Sequence, residues 1–175
     1  MTIIPIRPRT ENDLSSASEL LVKVHALDGY PVEGVADPQA WLVSDSLIQS
    51  WVADNGERIV GHVSISQATS GDDAARMWFD RTGQAPETIA VLGRLFVDPD
   101  TRGASLGKRL VQTAMTEADS RGLRLTLDVM TKDRAAISLY ERLGWTLIGE
   151  AAHTFGAGQS APAVCYVAPE AANTP

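Results

Sequence analysis

The sequence predicts an α/β fold built on a mixed sheet, in one domain over residues 1–170 with a frayed tail at 171–175. Three observations predict it. Strand-like and helix-like apolar patterns follow one another along the chain, as they do where both kinds of element share one core. Asp54-Asn55-Gly56-Glu57 lies between two apolar runs, a strong hairpin signal. Val91–Gly107, VLGRLFVDPDTRGASLG, runs from an apolar stretch through Asp98-Pro99-Asp100 into a basic, small-residue turn, and a periodic apolar pattern follows at once.

The elements follow in order. Ile3, Ile4 and Ile6 before Pro8 predict a short first strand. Asn12 or Asp13 can cap a helix carrying Leu14, Ala17, Leu20, Leu21 and Val24, which Asp28-Gly29-Tyr30-Pro31 breaks. Asp37 can cap a second helix, with Pro38 at its first position and Trp41, Leu42 and Leu47 as apolar members. The hairpin pairs Trp51-Val52-Ala53 with Ile59–Gln67. In its second strand Val60, His62, Ser64 and Ser66 share one face, and Gly61, Val63 and Ile65 the other.

Thr69–Glu87 is too long for a plain hairpin loop. Asp72 or Asp73 can cap a short helix there, AARMWFDR, ending near Gly83. Thr88–Val97 is apolar nearly throughout and predicts a central strand covered on both faces. Gly93 inside it marks either a bulge or close packing. Leu106, Leu110, Val111, Ala114 and Ala118 trace one helical stripe that stops at Gly122. Leu123, Leu125, Leu127 and Val129 alternate with polar residues as a strand. Asp133 can cap a helix with Ala136, Tyr140 and Leu143, closed by Gly144. Strands at Trp145–Gly149 and Ala163–Ala168 flank a loop over Gly156–Ala161.

A net charge of −7 argues against nucleic acid as the main partner. It suits a cationic substrate such as an amine, and it equally suits plain solubility. The single Cys165 excludes an internal disulfide and fits a reducing, cytoplasmic setting. No apolar run approaches the roughly 18–20 residues that span a bilayer, so no membrane partner is expected. The start, MTIIPIRPRT, lacks the order of a secretory signal.

The Val91–Gly107 junction aims backbone N–H groups and the positive end of a helix dipole at one spot, where an anion, most naturally a phosphate, belongs. A Walker-type loop fails on spacing: three residues separate Gly103 from Gly107 instead of four, and Arg109 follows Lys108 where a magnesium-binding hydroxyl should stand. G-x-G-x-x-G and G-x-S-x-G are absent, and no cluster has metal-ligand spacing, so no metal is expected.

LGRLFVDPDTRGASLGKRLV and DRAAISLYERLGWTLIGE together resemble the GNAT family of acyl-CoA-dependent N-acetyltransferases. The family's turn reads Gln/Arg-x-x-Gly-x-Gly/Ala. Arg102 and Gly107 match its ends, and Ser105 replaces the middle glycine, although serine does not readily take a positive φ. The resemblance implies a central, mostly antiparallel sheet of about seven strands flanked by about four helices and splayed at strands 4 and 5. It implies acetyl-CoA as co-substrate, a primary amine as acceptor and, by family habit, a homodimer.

The resemblance also assigns residues. Arg102, Gly103, Ala104, Ser105, Leu106, Gly107 and Lys108 would hold the pyrophosphate, and the backbone at Leu95, Phe96 and Val97 the pantetheine arm. Asp133 and Ala136 would complete the cofactor site. Tyr140 is the family-matched general acid, with a core tyrosine as its structural alternative. The base is open among Glu87, Asp128, His62, Glu33 and a water relay. Tyr30, Glu33, His62 and Trp78 are candidate acceptor contacts. For each a plainer role stands beside the functional one: connector loop for Tyr30 and Glu33, sheet histidine for His62, core packing for Trp78. A non-catalytic acyl-CoA sensor with a degenerate turn is the alternative function. A nucleotide-binding module would require magnesium-dependent ATP binding.

Overall fold

A computed structural model describes residues 3–101 and 105–171. Arg102, Gly103 and Ala104 of the predicted phosphate turn, and all but Ala171 of the predicted tail, lie outside the described residues. The elements are β1 (Ile6–Pro8), α1 (Leu14–Asp28), α2 (Pro38–Leu42), β2 (Leu47–Asp54), β3 (Ile59–Gln67), α3 (Asp73–Thr82), β4 (Ile89–Val97), α4 (Leu106–Ser120), β5 (Arg124–Met130), α5 (Arg134–Arg142), β6 (Thr146–Phe155) and β7 (Gln159–Val167). The seven strands run β1-β2-β3-β4-β5-β7-β6, with β4 parallel to β5 and the other neighbours antiparallel. This is the mixed α/β architecture expected. Among the described residues no helix is long and apolar enough to cross a membrane.

The chain divides into two compact units. The first holds residues up to Ser66 together with Gly93–Ala114. Its strands β2 and β3 pair through Ser50–Ser64, Trp51–Val63 and Val52–His62, so the predicted two faces of β3 are the observed ones. Over one face Leu106 and Leu110 of α4 close on Gly61. A Cβ at Gly61 would stand 2.9 Å from a Leu110 methyl, so a side chain there would require Leu110 to shift. The cluster of Ala17, Leu20, Leu21, Val24, Leu42, Val52, Ile59 and Phe96 packs separately, with Tyr30 and Trp41 at its margin. Asp13 precedes α1 but caps it with no side-chain bond. Its carboxylate turns back to Thr10 and to Arg7, which holds it well below the usual carboxylate range.

Two boundaries differ from expectation. α2 is a single turn, capped by Asp37 accepting from the Ala40 N–H, and Leu47 opens β2 instead of extending the helix. Leu47 pairs with Ser66 across the ladder, a contact invisible to local periodicity.

The second unit holds Gln67–Leu92 and the chain from Met115 onward. The β4–β5 ladder consists of Ile89–Arg124, Ala90–Leu125 and Val91–Thr126. β6 and β7 form a hairpin reaching from Thr146–Val167 to Phe155–Gln159, so most of the loop expected at Gly156–Ala161 is strand and its tight turn. Ala74, Ile148, Cys165 and Val167 form this unit's core, with Met77 and Trp78 packed against it. Cys165 is a buried free thiol, and that burial pushes it up to about 11.

Candidate active site

The first unit carries the β4 irregularity. Arg94 sits at φ 53, in the left-handed region that L-residues avoid. The left-handed residue thus lies one position after Gly93. A Cβ on Gly93 would meet nothing within 4 Å, so close packing does not demand glycine there. The carbonyls at the irregularity find partners on β3: Ser64 Oγ donates to Gly93 O at 3.2 Å and His62 Nδ1 to Arg94 O at 2.9 Å.

That bond fixes the tautomer of His62. A carbonyl only accepts, so Nδ1 carries the proton. Nε2 is then an acceptor for Arg9 Nη1 at 2.9 Å. The ring is fully buried and stacks on Phe96, centroids 5.0 Å apart and planes 10° from parallel. Burial, and the Arg9 and Arg94 charges, push it down to about 3 against the pull of the Arg94 carbonyl. His62 is thus neutral and enclosed, with both ring nitrogens engaged by Arg94 O and Arg9. Leu95 is half-buried, and Phe96 and Val97 are buried.

After β4 the chain turns at Asp98, whose side chain is fully buried. Its carboxylate accepts from Lys23 Nζ at 2.8 Å, Arg58 Nη2 at 2.9 Å and the Asp100 N–H at 3.0 Å. Its own N–H donates to Val60 O. Burial pushes the carboxyl up, but these partners outweigh it and hold it at about 2. Beyond the residues not described, Ser105 stands immediately before α4 at φ 57. Ser105 takes the positive φ that serine does not readily adopt, so the turn carries a left-handed L-residue at this position. Leu106 is buried, Gly107 half-buried and Lys108 exposed.

The segment between α1 and α2 forms an aromatic corner. Tyr30 meets Trp41 edge-on at 5.8 Å, and Trp41 Nε1 donates to Glu33 Oε1 at 2.8 Å. Arg94 lies over the Trp41 ring at 5.3 Å and donates from Nε to Trp41 O at 2.7 Å.

In the second unit Tyr140 is 5% exposed on α5 and tilts against Trp145 at 5.5 Å. Burial, then Asp133 and Asp128, push its hydroxyl well above the ordinary phenol range. The hydroxyl makes no hydrogen bond among the described residues. Asp133 stands at the N-cap of α5, but its side chain accepts no capping bond; Ala136 is half-buried. Asp128 on β5 lies 3.6 Å from His153 Nδ1 on β6. The Asp128 side chain keeps 38% of its surface open, yet partial burial raises its carboxyl, with the His153 charge opposing. Glu87 is exposed in the 3-10 turn Pro86–Thr88. Trp78 packs against the second unit's core, donates to Gln84 Oε1 at 2.9 Å and lies under the Arg124 guanidinium at 4.8 Å.

The family model described as "Acetyltransferase (GNAT) family" matches residues 15–145. The chain belongs to the GNAT family of acetyltransferases. The mycothiol acetyltransferase of Geodermatophilus obscurus is 27% identical over 125 residues, which make up 56% of this chain and 41% of that protein. The chain therefore spans less than half the length of that curated relative. Among solved structures, the ribosomal-protein-S18-alanine N-acetyltransferase of Escherichia coli matches with a TM-score of 0.68 at 18% identity, covering 99% of each chain. The yncA protein of Salmonella typhimurium, solved with acetyl-CoA, matches at 0.71 and 16% identity, covering 99% of this chain and 98% of that one. At these identities the likeness is one of fold.

Within this GNAT chain, three residues of the first unit had escaped sequence reasoning as site residues: Arg94, Arg9 and Asp98. Arg94 carried a signal, as the one charge inside an apolar strand. Arg9 and Asp98 carried none, because each matters through a partner distant in sequence.

Proposed function

We propose that this GNAT chain is an acetyl-CoA-dependent N-acetyltransferase, with residues 1–170 as its catalytic domain, acting on a primary amine by direct attack in a ternary complex. The observation that carries the proposal is Ser105. It holds a left-handed backbone at the start of a long helix with no glycine to make that easy. Strain of this kind persists where surroundings and function demand it. Here it turns the chain so that the first N–H groups of α4, which have no partners inside the helix, face one way together. On this reading Arg102 to Lys108 hold the diphosphate, with Asp133 and Ala136 alongside the rest of the cofactor, and the Leu95–Val97 backbone meets the pantetheine amides as a strand would.

The reaction forms an N–C bond, breaks the C–S bond, takes one proton from the amine and gives one to the sulfur. Tyr140 takes the second transfer by its match to the family's motif, its hydroxyl being protonated at neutral pH as any phenol is. Asp128 suits the first better than Glu87 does. Its carboxyl is raised toward the range where a base works best, whereas Glu87 is a solvated turn residue. Tyr30 and Glu33, braced by Trp41, form a wall for the acceptor. Trp78 acts on the acceptor only through the α3 segment it anchors. The sensor alternative rests on Ser105 marking a degenerate turn; the positive φ of Ser105 supports the enzyme reading instead.

Calorimetry with acetyl-CoA and a thiol-release screen over amines test the proposal. Tyr140→Phe should lower kcat by roughly 10²–10⁴-fold while leaving the KM for acetyl-CoA nearly unchanged. No uptake of acetyl-CoA would overturn the proposal, and tight uptake without turnover over a broad panel would favour the sensor.

A further inference from the structure

The β4 irregularity closes a ring of hydrogen bonds that starts and ends on one residue. Arg94 Nε donates to Trp41 O at 2.7 Å. One peptide on, Leu42 O accepts from Arg9 Nη1 at 2.9 Å. The same Arg9 nitrogen meets His62 Nε2 at 2.9 Å, and His62 Nδ1 returns to Arg94 O at 2.9 Å. Arg94 is thus gripped by its side chain and by its own carbonyl. It cannot relax to an ordinary strand conformation without breaking the ring. The ring's far side is the end of α2, whose Trp41 also carries Tyr30 and Glu33.

We infer that His62, with Arg9, is a positioning residue for acyl transfer: it clamps the left-handed Arg94 so that the Leu95–Val97 backbone and the Tyr30–Glu33–Trp41 corner are held in one fixed relation. The inference rests on the acetyltransferase reading for what that backbone binds. Histidine fits the task because a neutral imidazole offers a donor and an acceptor on opposite sides of a flat ring. Flatness matters as well, since the ring fills the space above Phe96 at stacking distance. Phenylalanine could fill that space but could serve neither Arg94 O nor Arg9. A serine at the neighbouring inward position, Ser64, ties down the carbonyl before Arg94. β3 therefore holds the irregularity from one side at two successive carbonyls.

The test compares wild type, His62→Phe, His62→Asn and Arg9→Met. Amide exchange over Leu95–Asp98 and acetyl-CoA affinity by calorimetry are the readouts. Asparagine places a donor where Nδ1 stands, so it can still hold the Arg94 carbonyl. His62→Phe should speed exchange over Leu95–Asp98 by about tenfold or more, because two buried polar groups lose their partners. Exchange in α1 should stay as in wild type. Acetyl-CoA affinity should fall by roughly tenfold, as misplacement of the binding backbone predicts. His62→Asn should recover most of both, and a purely space-filling role would show no such rescue. Arg9→Met should reproduce the direction with a smaller size, and it decides the matter if His62→Phe does not fold. Unchanged exchange over Leu95–Asp98 in folded His62→Phe, or asparagine behaving as phenylalanine does, would overturn the clamp. Failure of wild type to bind acetyl-CoA would instead sink the acetyltransferase reading, and the exchange data would still judge the clamp.

Discussion

Arg94 and Ser105 share a rare backbone conformation, at φ 53 and φ 57, and they are held in opposite ways. Arg94 is anchored at both its carbonyl and its guanidinium, to His62 on β3 and to Trp41 on α2. Ser105 is exposed, and its carbonyl simply accepts the Arg109 N–H as any residue before a helix would. A left-handed L-residue costs about 1–2 kcal/mol, so each site needs something to sustain it. At Arg94 the protein's own buried hydrogen bonds do so, and the strand keeps its shape without help. At Ser105 the helix start does part of the work, and on the proposed function a bound diphosphate does the remainder. The first position is held by buried partners, the second only by the start of a helix.

The largest expected effect lies between these two positions, at Asp98. Its carboxylate ties the end of β4 to Lys23 and Arg58 and receives the Asp100 N–H that begins the turn. Removing one partner of a buried ion pair costs about 3–5 kcal/mol, but Lys23 and Arg58 are half open to water and can resolvate, so Asp98→Ala should cost roughly 2–3 kcal/mol by denaturant titration. The pH dependence has a definite sign. The folded carboxyl, at about 2, titrates below an unfolded aspartate. The contribution is therefore fully present above the unfolded value of about 3.9 and is lost as pH falls toward and through 2. Equal acid sensitivity in wild type and Asp98→Ala would show that the carboxylate does not brace the turn.

Ser105 gives a smaller effect on stability. Ser105→Val adds β-branching at a left-handed position and should cost about 1–2 kcal/mol. It should also weaken acetyl-CoA, because the turn that aims the α4 N–H groups would be lost. Ser105→Gly should stabilise the protein by about 1 kcal/mol and leave binding intact. A glycine variant that binds acetyl-CoA far more weakly would mean the serine hydroxyl, and not the backbone, is the contact.

How much of this was legible in the sequence depends on the reach of each interaction. α4 was legible because Leu106, Leu110, Val111, Ala114 and Ala118 repeat within one helix, and all are buried. α3 was legible because its ends are local too: Asp72 precedes it and Gly83 closes it. Leu47 was misassigned because its partner Ser66 lies across the ladder. The β6–β7 hairpin was partly missed because its tip, Gly156–Gln159, looks like loop in composition while its flanks pair through Thr154–Ser160 and His153–Ala161. The site divides the same way. The helix α4 could be read from adjacent residues. The His62 environment could not, since Arg9 lies 53 residues from it and both Arg94 and Trp41 are needed to complete the ring. An exposed or a buried histidine on β3 gives the same alternating pattern.

The finest test compares alanine with glycine at Arg94. Arg94→Ala keeps the unfavourable backbone and removes the bond to Trp41 O and the contact over its ring, so it should destabilise by about 2–3 kcal/mol. Arg94→Gly removes the same anchors but also relieves the left-handed conformation, which should return about 1 kcal/mol. The side-chain loss is common to both variants, so their difference isolates the backbone. A matched pair at Ser105, alanine against glycine, should show a gap of similar size, because the two φ values are close. If the gap appears at Ser105 and vanishes at Arg94, the strand irregularity is not left-handed in solution. If it appears at Arg94 and vanishes at Ser105, the turn before α4 acquires its shape only once a ligand is bound. Repeating the Ser105 pair with saturating acetyl-CoA separates these outcomes, since a ligand-imposed turn would open the gap again.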